Sequence, residues 1–164
     1  MSFPTTTIST TVDAASSRAP FAGPFPSSLP RGLRDEARAL PSEAFHAKYA
    51  PSSGSVRLRN WECLDAAKPG PQARRYQATI AVGDRIGTCV TAASGPLAAL
   101  TAMLHDRGVA VEMLQFHQVR AGDETATFIR ATDGRRQEWA MGWDRDATES
   151  ALRAVLACAN RLCE

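Results

Sequence analysis

Hydrophobic spacing divides the chain into three stretches. Residues 1 to about 28 hold Ser, Thr, Pro and Ala with scattered Phe, and no period persists. Pro4, Pro20, Pro24 and Pro26 interrupt any regular element there. Such a composition buries too little apolar surface to offset its ordering entropy, which predicts a disordered tail over 1–28. Residues 29–54 read as a helical linker in two pieces split by Pro41. Ser42 is the expected cap of the second piece, which carries Phe45 and Tyr49 four residues apart on one face. Pro51-Ser-Ser-Gly54 closes the linker.

From residue 55 to 164 the pattern changes. Val56–Trp61 alternates apolar and polar positions, as a half-buried strand does. Residues 65–75 form a polar Pro/Gly loop. Tyr76–Val82 and Ile86–Val90 read as strands joined by a tight turn at Gly83-Asp84-Arg85. Leu97, Leu100, Met103 and Leu104 then fall on one helical face, opened by Ser94 or Gly95 and ended by Gly108.

The order recurs. Val109–Val119 and Thr125–Ala131 read as strands around Gly122-Asp123, and Asp133-Gly134 turns the chain into Gln137–Trp143. A last helix starts with Asp146 and Glu149 in capping-box spacing and buries Ala151, Leu152, Val155, Ala159 and Leu162. The prediction is an α+β domain of two pseudo-symmetric βββα units, about 56–108 and 109–163, preceded by the short helical linker. Trp139 and Trp143 share one face of the last strand, as a core or interface stripe would.

Composition narrows the function. The 164 residues carry 19 basic and 17 acidic side chains, a net charge of +2 that points to no nucleic-acid or anionic-membrane partner. No apolar run approaches the ~18 residues of a spanning helix. The start, Met1-Ser-Phe-Pro, has neither a basic nor an apolar signal region, so a cytoplasmic location is expected. Cys63, Cys89, Cys158 and Cys163 match no metal template and read as buried or half-buried thiols.

Candidate chemistry is sparse. His46, His105 and His117 lack the spacing of a metal site, and no nucleophile elbow, Walker loop or dinucleotide fingerprint occurs. His105 suits a helix C-terminus, and His117 could line a pocket from its strand. Cys89 lacks a histidine near it in sequence. Arg74-Arg75, Arg130, Arg135 and Arg136 read as solvated turns. The better candidates are the two helix starts, Ser94-Gly95-Pro96 and Gly142-Trp143-Asp144. Backbone N–H groups at such starts can cradle a carboxylate, and glycine allows close approach.

The run Ala93-Ser-Gly-Pro-Leu-Ala-Ala-Leu, then Val109-Ala-Val-Glu-Met-Leu, then Gly142-Trp-Asp-Arg-Asp-Ala-Thr-Glu-Ser-Ala-Leu-Arg-Ala-Val and Ala159-Asn-Arg-Leu162 resembles the C-terminal regulatory domain of 2-isopropylmalate synthase, which binds leucine and dimerises. The resemblance covers about 56–163 and extends to Leu29 through Leu-Pro-Arg-Gly-Leu-Arg. It implies two βββα units, a homodimer, an amino-acid effector and a synthase catalytic subunit as partner. It also implies Gly95, Pro96, Gly142 and Asp146 as pocket-forming, with Ala140 and Ala147 lining. The synthase performs its chemistry in a metal-bearing (β/α)₈ barrel, which needs ~250 residues. The expectation is therefore a non-catalytic domain with no metal, no cofactor and no catalytic residues. Ala98 stands where the family's first glycine loop carries Asp. That loss of a carboxylate favours the alternative, a ligand-free dimerisation module.

Overall fold

The two-piece helical pattern of the linker becomes α1 (Arg31–Ala39) and α2 (Ser42–Tyr49). This structure is a computed structural model that describes residues 29–51, 53–67 and 69–164; the predicted disordered tail lies outside the described residues. Pro41 separates the helices because the residue before a proline avoids helical angles, and Leu40 is extended. Pro41 itself holds the N-cap position, so Ser42 is the first helical residue and not the expected cap. Phe45 and Tyr49 share a face as predicted, with ring centroids 4.8 Å apart, and both are buried.

The alternating stretches pair in chain order. β1 (Val56–Cys63), β2 (Arg74–Val82) and β3 (Arg85–Ala93) form one antiparallel sheet, followed by α3 (Pro96–Asp106). β4 (Glu112–Ala121), β5 (Glu124–Thr132) and β6 (Gln137–Asp144) form a second, followed by α4 (Ala147–Leu162). The fold is α+β with two βββα units. Val82 pairs with Arg85 and Ala121 with Glu124 across two-residue turns, each entered by a left-handed glycine, Gly83 (φ 64°) and Gly122 (φ 66°). In the 133–136 loop, Asp133 Oδ1 accepts the backbone N–H groups of Arg136 and Arg135, both at 2.8 Å. These bonds hold its carboxyl below the usual range.

Several boundaries differ from the sequence reading, among them β3, which runs past Val90 to Ala93. β2 begins at Arg74, inside the expected loop, because Asp65 binds the backbone N–H of Arg75 (2.8 Å) and its guanidinium (3.1 Å) and extends the pairing. β1 continues past Trp61 through a bulge at Asn60 (φ 53°), which lets Trp61 stack on Tyr76 at 5.5 Å. β4 begins at Glu112, three residues late, because Val109 N–H still bonds Leu104 C=O (2.9 Å) behind left-handed Gly108.

α4 is the centre of the core. It packs on β5 and β6 and also touches β1 and α3, and ten of its sixteen residues are buried. The other face of the β4–β6 sheet carries Ala126, Phe128 and Met141, which are buried under Leu33, Phe45 and Tyr49 of the linker helices. Trp139 and Trp143 pack against this cluster, so the tryptophan stripe is core beneath the linker. The corresponding outer face of the β1–β3 sheet leaves Ile86 64% and Val90 52% exposed.

Candidate functional site

The two helix starts that looked alike in sequence are built differently. At α4, Asp146 is the N-cap, and its Oδ1 accepts Glu149 N–H at 2.9 Å. Asp144 Oδ1 accepts Asp146 N–H at 3.0 Å, and the same carboxylate pairs with Arg153 at 3.2 Å. The protein's own acids thus occupy this start. At α3, Gly95 is an extended N-cap (φ −167°) that offers no side-chain acceptor, and Pro96 follows without an N–H. A side chain added at Gly95 would meet nothing within 4 Å, so this start is open.

The six residues of the expected effector site fall in two places. Gly95 and Pro96 stand at the β3–α3 junction; Ala140, Gly142, Asp146 and Ala147 gather where β6 meets α4. Ala140 is fully buried in the central core, and Ala147 is exposed in the first helical turn. Gly142 has a packing role. A Cβ there would lie 2.5 Å from the backbone of both Ser150 and Ala154, so its absence lets α4 rest on the strand. Ser150 Oγ donates to Gly142 C=O (3.1 Å) and pairs with Thr127 Oγ1 (2.8 Å), which Gln118 Nε2 also reaches (2.9 Å). This chain of bonds ties all three strands to the helix.

Gly142 also lines a cavity of about 570 Å³, alone among those six. Its apolar walls come from Val56 and Leu58 of β1, Met141 and Trp143 of β6, and Leu156 and Ala157 of α4. The linker's end closes one side at Ala50, Pro51, Ser53 and Gly54. Arg57 and Arg153 supply its charge, and both are exposed. One nitrogen of each is engaged: Arg57 Nη2 donates to Gly83 C=O (2.7 Å), and Arg153 Nη2 pairs with Asp144.

Asn160 organises this cavity and was missed in the sequence reading. Its Oδ1 accepts Val56 N–H (2.8 Å), and its Nδ2 donates to Val56 C=O (3.0 Å). It thereby pins the start of β1 to α4 across 104 residues of sequence. The signal was a single amide in an otherwise apolar helical stripe, where a buried polar group demands a partner. Gly54 belongs to the same contact, since a Cβ there would fall 2.3 Å from the Asn160 side chain.

The linker is held by charged and aromatic contacts. Arg161 lies over the Tyr49 ring at 4.7 Å, pairs with Glu138 at 3.1 Å and donates to Trp139 C=O. His46 meets Trp143 edge-on at 4.4 Å, and burial holds its imidazole below the usual range.

The remaining candidates have local roles. His105 lies in the last turn of α3, and exposed His117 sits 6.4 Å from the Phe128 ring. Cys89 Sγ faces Ala78 C=O at 3.8 Å. Burial pushes the Cys158 thiol up to about 12, the opposite of an activated nucleophile. Cys163 is exposed, unlike the other three cysteines and contrary to expectation, because it follows the last helical turn. Among the described residues no helix is long and apolar enough to cross a membrane.

Comparison with known proteins agrees with this frame. No protein-family model matches the chain. The 2-isopropylmalate synthase of Renibacterium salmoninarum is 38% identical over 72 residues, 42% of this chain and 12% of the synthase. That of Parafrankia sp. is 28% identical over 125 residues, 73% of this chain and 22% of the synthase. The Arthrobacter sp. enzyme is 35% identical over 72 residues, again 12% of its length. The chain therefore resembles one segment of 2-isopropylmalate synthase, and spans between an eighth and a quarter of the curated relatives it matches.

Proposed function

We propose that this chain is a non-catalytic regulatory domain of the 2-isopropylmalate synthase type, cytoplasmic and dimeric, which binds a small leucine-like effector or acts on a synthase subunit. Its place would be branched-chain amino-acid biosynthesis. The observation that carries this reading is the partial similarity to the synthase, up to 125 residues long, in a chain that folds as two βββα units. The effector's carboxylate would sit on the open N-terminus of α3 at Gly95-Pro96, where the first-turn N–H groups meet no side-chain cap. Gly142, Asp146, Ala140 and Ala147 would act from the β6–α4 junction.

Thermal unfolding against leucine, other branched amino acids and 2-oxo acids tests it. Ligand at about a hundredfold over its Kd adds ~2.7 kcal/mol of apparent stability, a rise of roughly 5–15 °C. A selective rise with leucine supports the effector reading, and a flat response to the whole panel refutes it.

A second reading, a ligand-free dimerisation module, draws support from three features. They are Ala98, the self-capped start of α4, and the bare outer face of the β1–β3 sheet with Ile86 and Val90. Light scattering across protein concentration, repeated with Ile86→Glu, separates the two. A dimer indifferent to every effector and broken by that substitution favours assembly alone.

A further inference from the structure

The cavity between the linker and the β1–β6–α4 surface lies apart from the α3 start and shares only Gly142 with the expected effector residues, and its chemistry is specific enough to name a ligand class. At about 570 Å³ it lies within the ~300–1,000 Å³ typical of small-molecule sites. Its walls are aliphatic and aromatic, and among the described residues its charged lining is Arg57 and Arg153. A guanidinium has five N–H donors, and the structure gives each of these two one direct partner. Asp144, the acid paired with Arg153, also binds the backbone N–H of Asp146 and is not part of the lining. Asn160 gives one acceptor and one donor to Val56 and keeps a second amide N–H. The cavity therefore offers strong donors for an anion and apolar walls for a tail. It offers no carboxylate for an ammonium group.

We propose that this cavity binds a small apolar-tailed carboxylic acid lacking an α-ammonium group, with the carboxylate held by Arg57 and Arg153 and the tail against Met141, Trp143 and Leu156. An amino acid of the same skeleton would place its α-ammonium beside two guanidinium groups without a counter-charge, which is unfavourable. Because one wall is the linker's end, an occupied cavity would also bridge the linker to the domain. The proposal stands whether or not the α3 start binds an effector.

The test uses three probes of one carbon skeleton: 4-methylpentanoate, 4-methylpentanamide and leucine, titrated by calorimetry on the whole chain. We expect 4-methylpentanoate to bind at least tenfold more tightly than the amide or leucine. Arg153→Gln and Arg57→Gln should each weaken it about ten- to a hundredfold, the usual worth of a charge-assisted contact. Ser53→Trp, at an exposed linker position that lines the cavity, should abolish binding while the far-ultraviolet dichroism is unchanged. Tryptophan emission should respond to the ligand, and Trp143→Phe should remove that response. Absence of 4-methylpentanoate binding overturns the proposal, as does binding insensitive to both arginine variants and to Ser53→Trp. Leucine binding that survives Ser53→Trp but is lost in Pro96→Ala/Gly95→Val would place the effector at the α3 start. That result, with no 4-methylpentanoate binding, overturns this cavity proposal while keeping the effector reading.

Discussion

The two βββα units share one element order but bury their sheets differently. In the β4–β6 sheet, β5 and β6 are covered on both faces, by α4 on one side and by the linker helices on the other, while edge strand β4 leaves Leu114 and Phe116 exposed. The β1–β3 sheet is covered on one face only, and its outer face presents Ile86 and Val90. Repetition of a motif therefore does not repeat its environment. The second unit is the structural centre, and the first retains exposed surface and an open helix start.

Substitutions at equivalent faces should expose this difference most strongly. Phe128→Ala, beneath the linker helices, should lower the unfolding free energy by about 3–5 kcal/mol. Ile86→Thr, on the bare face, should change it by no more than about 0.5 kcal/mol. Urea unfolding of both variants measures the contrast, and equal losses would mean that the two outer faces are buried alike in solution.

The paired glycines come next. Gly142→Ala forces a Cβ into the backbone of α4 and should cost about 1–3 kcal/mol. Gly95→Ala meets open space and should cost only about 0.5–1 kcal/mol, the loss of a favoured cap residue. Thermal scans suffice to separate them.

Exchanging the caps gives a smaller effect of opposite signs. Asp146→Ala should cost about 1 kcal/mol, and Gly95→Asp should gain a few tenths of a kcal/mol by supplying α3 with the acceptor it lacks. A Gly95→Asp protein no more stable than its parent would show that this start is already satisfied.

The least effect belongs to pH. Burial lowers the His46 pKa in the folded chain below 6.5, so the unfolded chain takes up the proton first as pH falls. The contribution of His46 to stability is then intact above pH 6.5 and is lost as pH falls through the folded pKa. His46→Phe should flatten that part of the stability profile, read from urea midpoints across pH.

Much of this was legible from local pattern. The alternation in Tyr76–Val82, the Gly83 and Gly122 turns and the Asp146 cap each depend on neighbours a few residues away, and each appears where the spacing places it. The errors have equally specific causes. Arg74-Arg75 reads as a loop because the partner that makes it a strand is Asp65, on the far side of a Pro/Gly segment. Gly95 and Gly142 look like two cradles because a glycine's sequence context does not say what approaches it. The cavity leaves no trace in the sequence because Val56 and α4, which frame it, are about a hundred residues apart.

What the sequence by itself determined is the list of elements, their order and the two-fold repetition, because these follow from hydrophobic period and turn chemistry. Only the tertiary structure decided that α4 is the hub, that the tryptophan stripe is roofed by the linker, and that a cavity opens where the linker ends. Those outcomes rest on the Asn160–Val56 pair, the Arg161–Tyr49 contact and the missing Cβ of Gly142. Each is a short-range interaction between residues distant in the chain, and such contacts leave little trace in any local pattern.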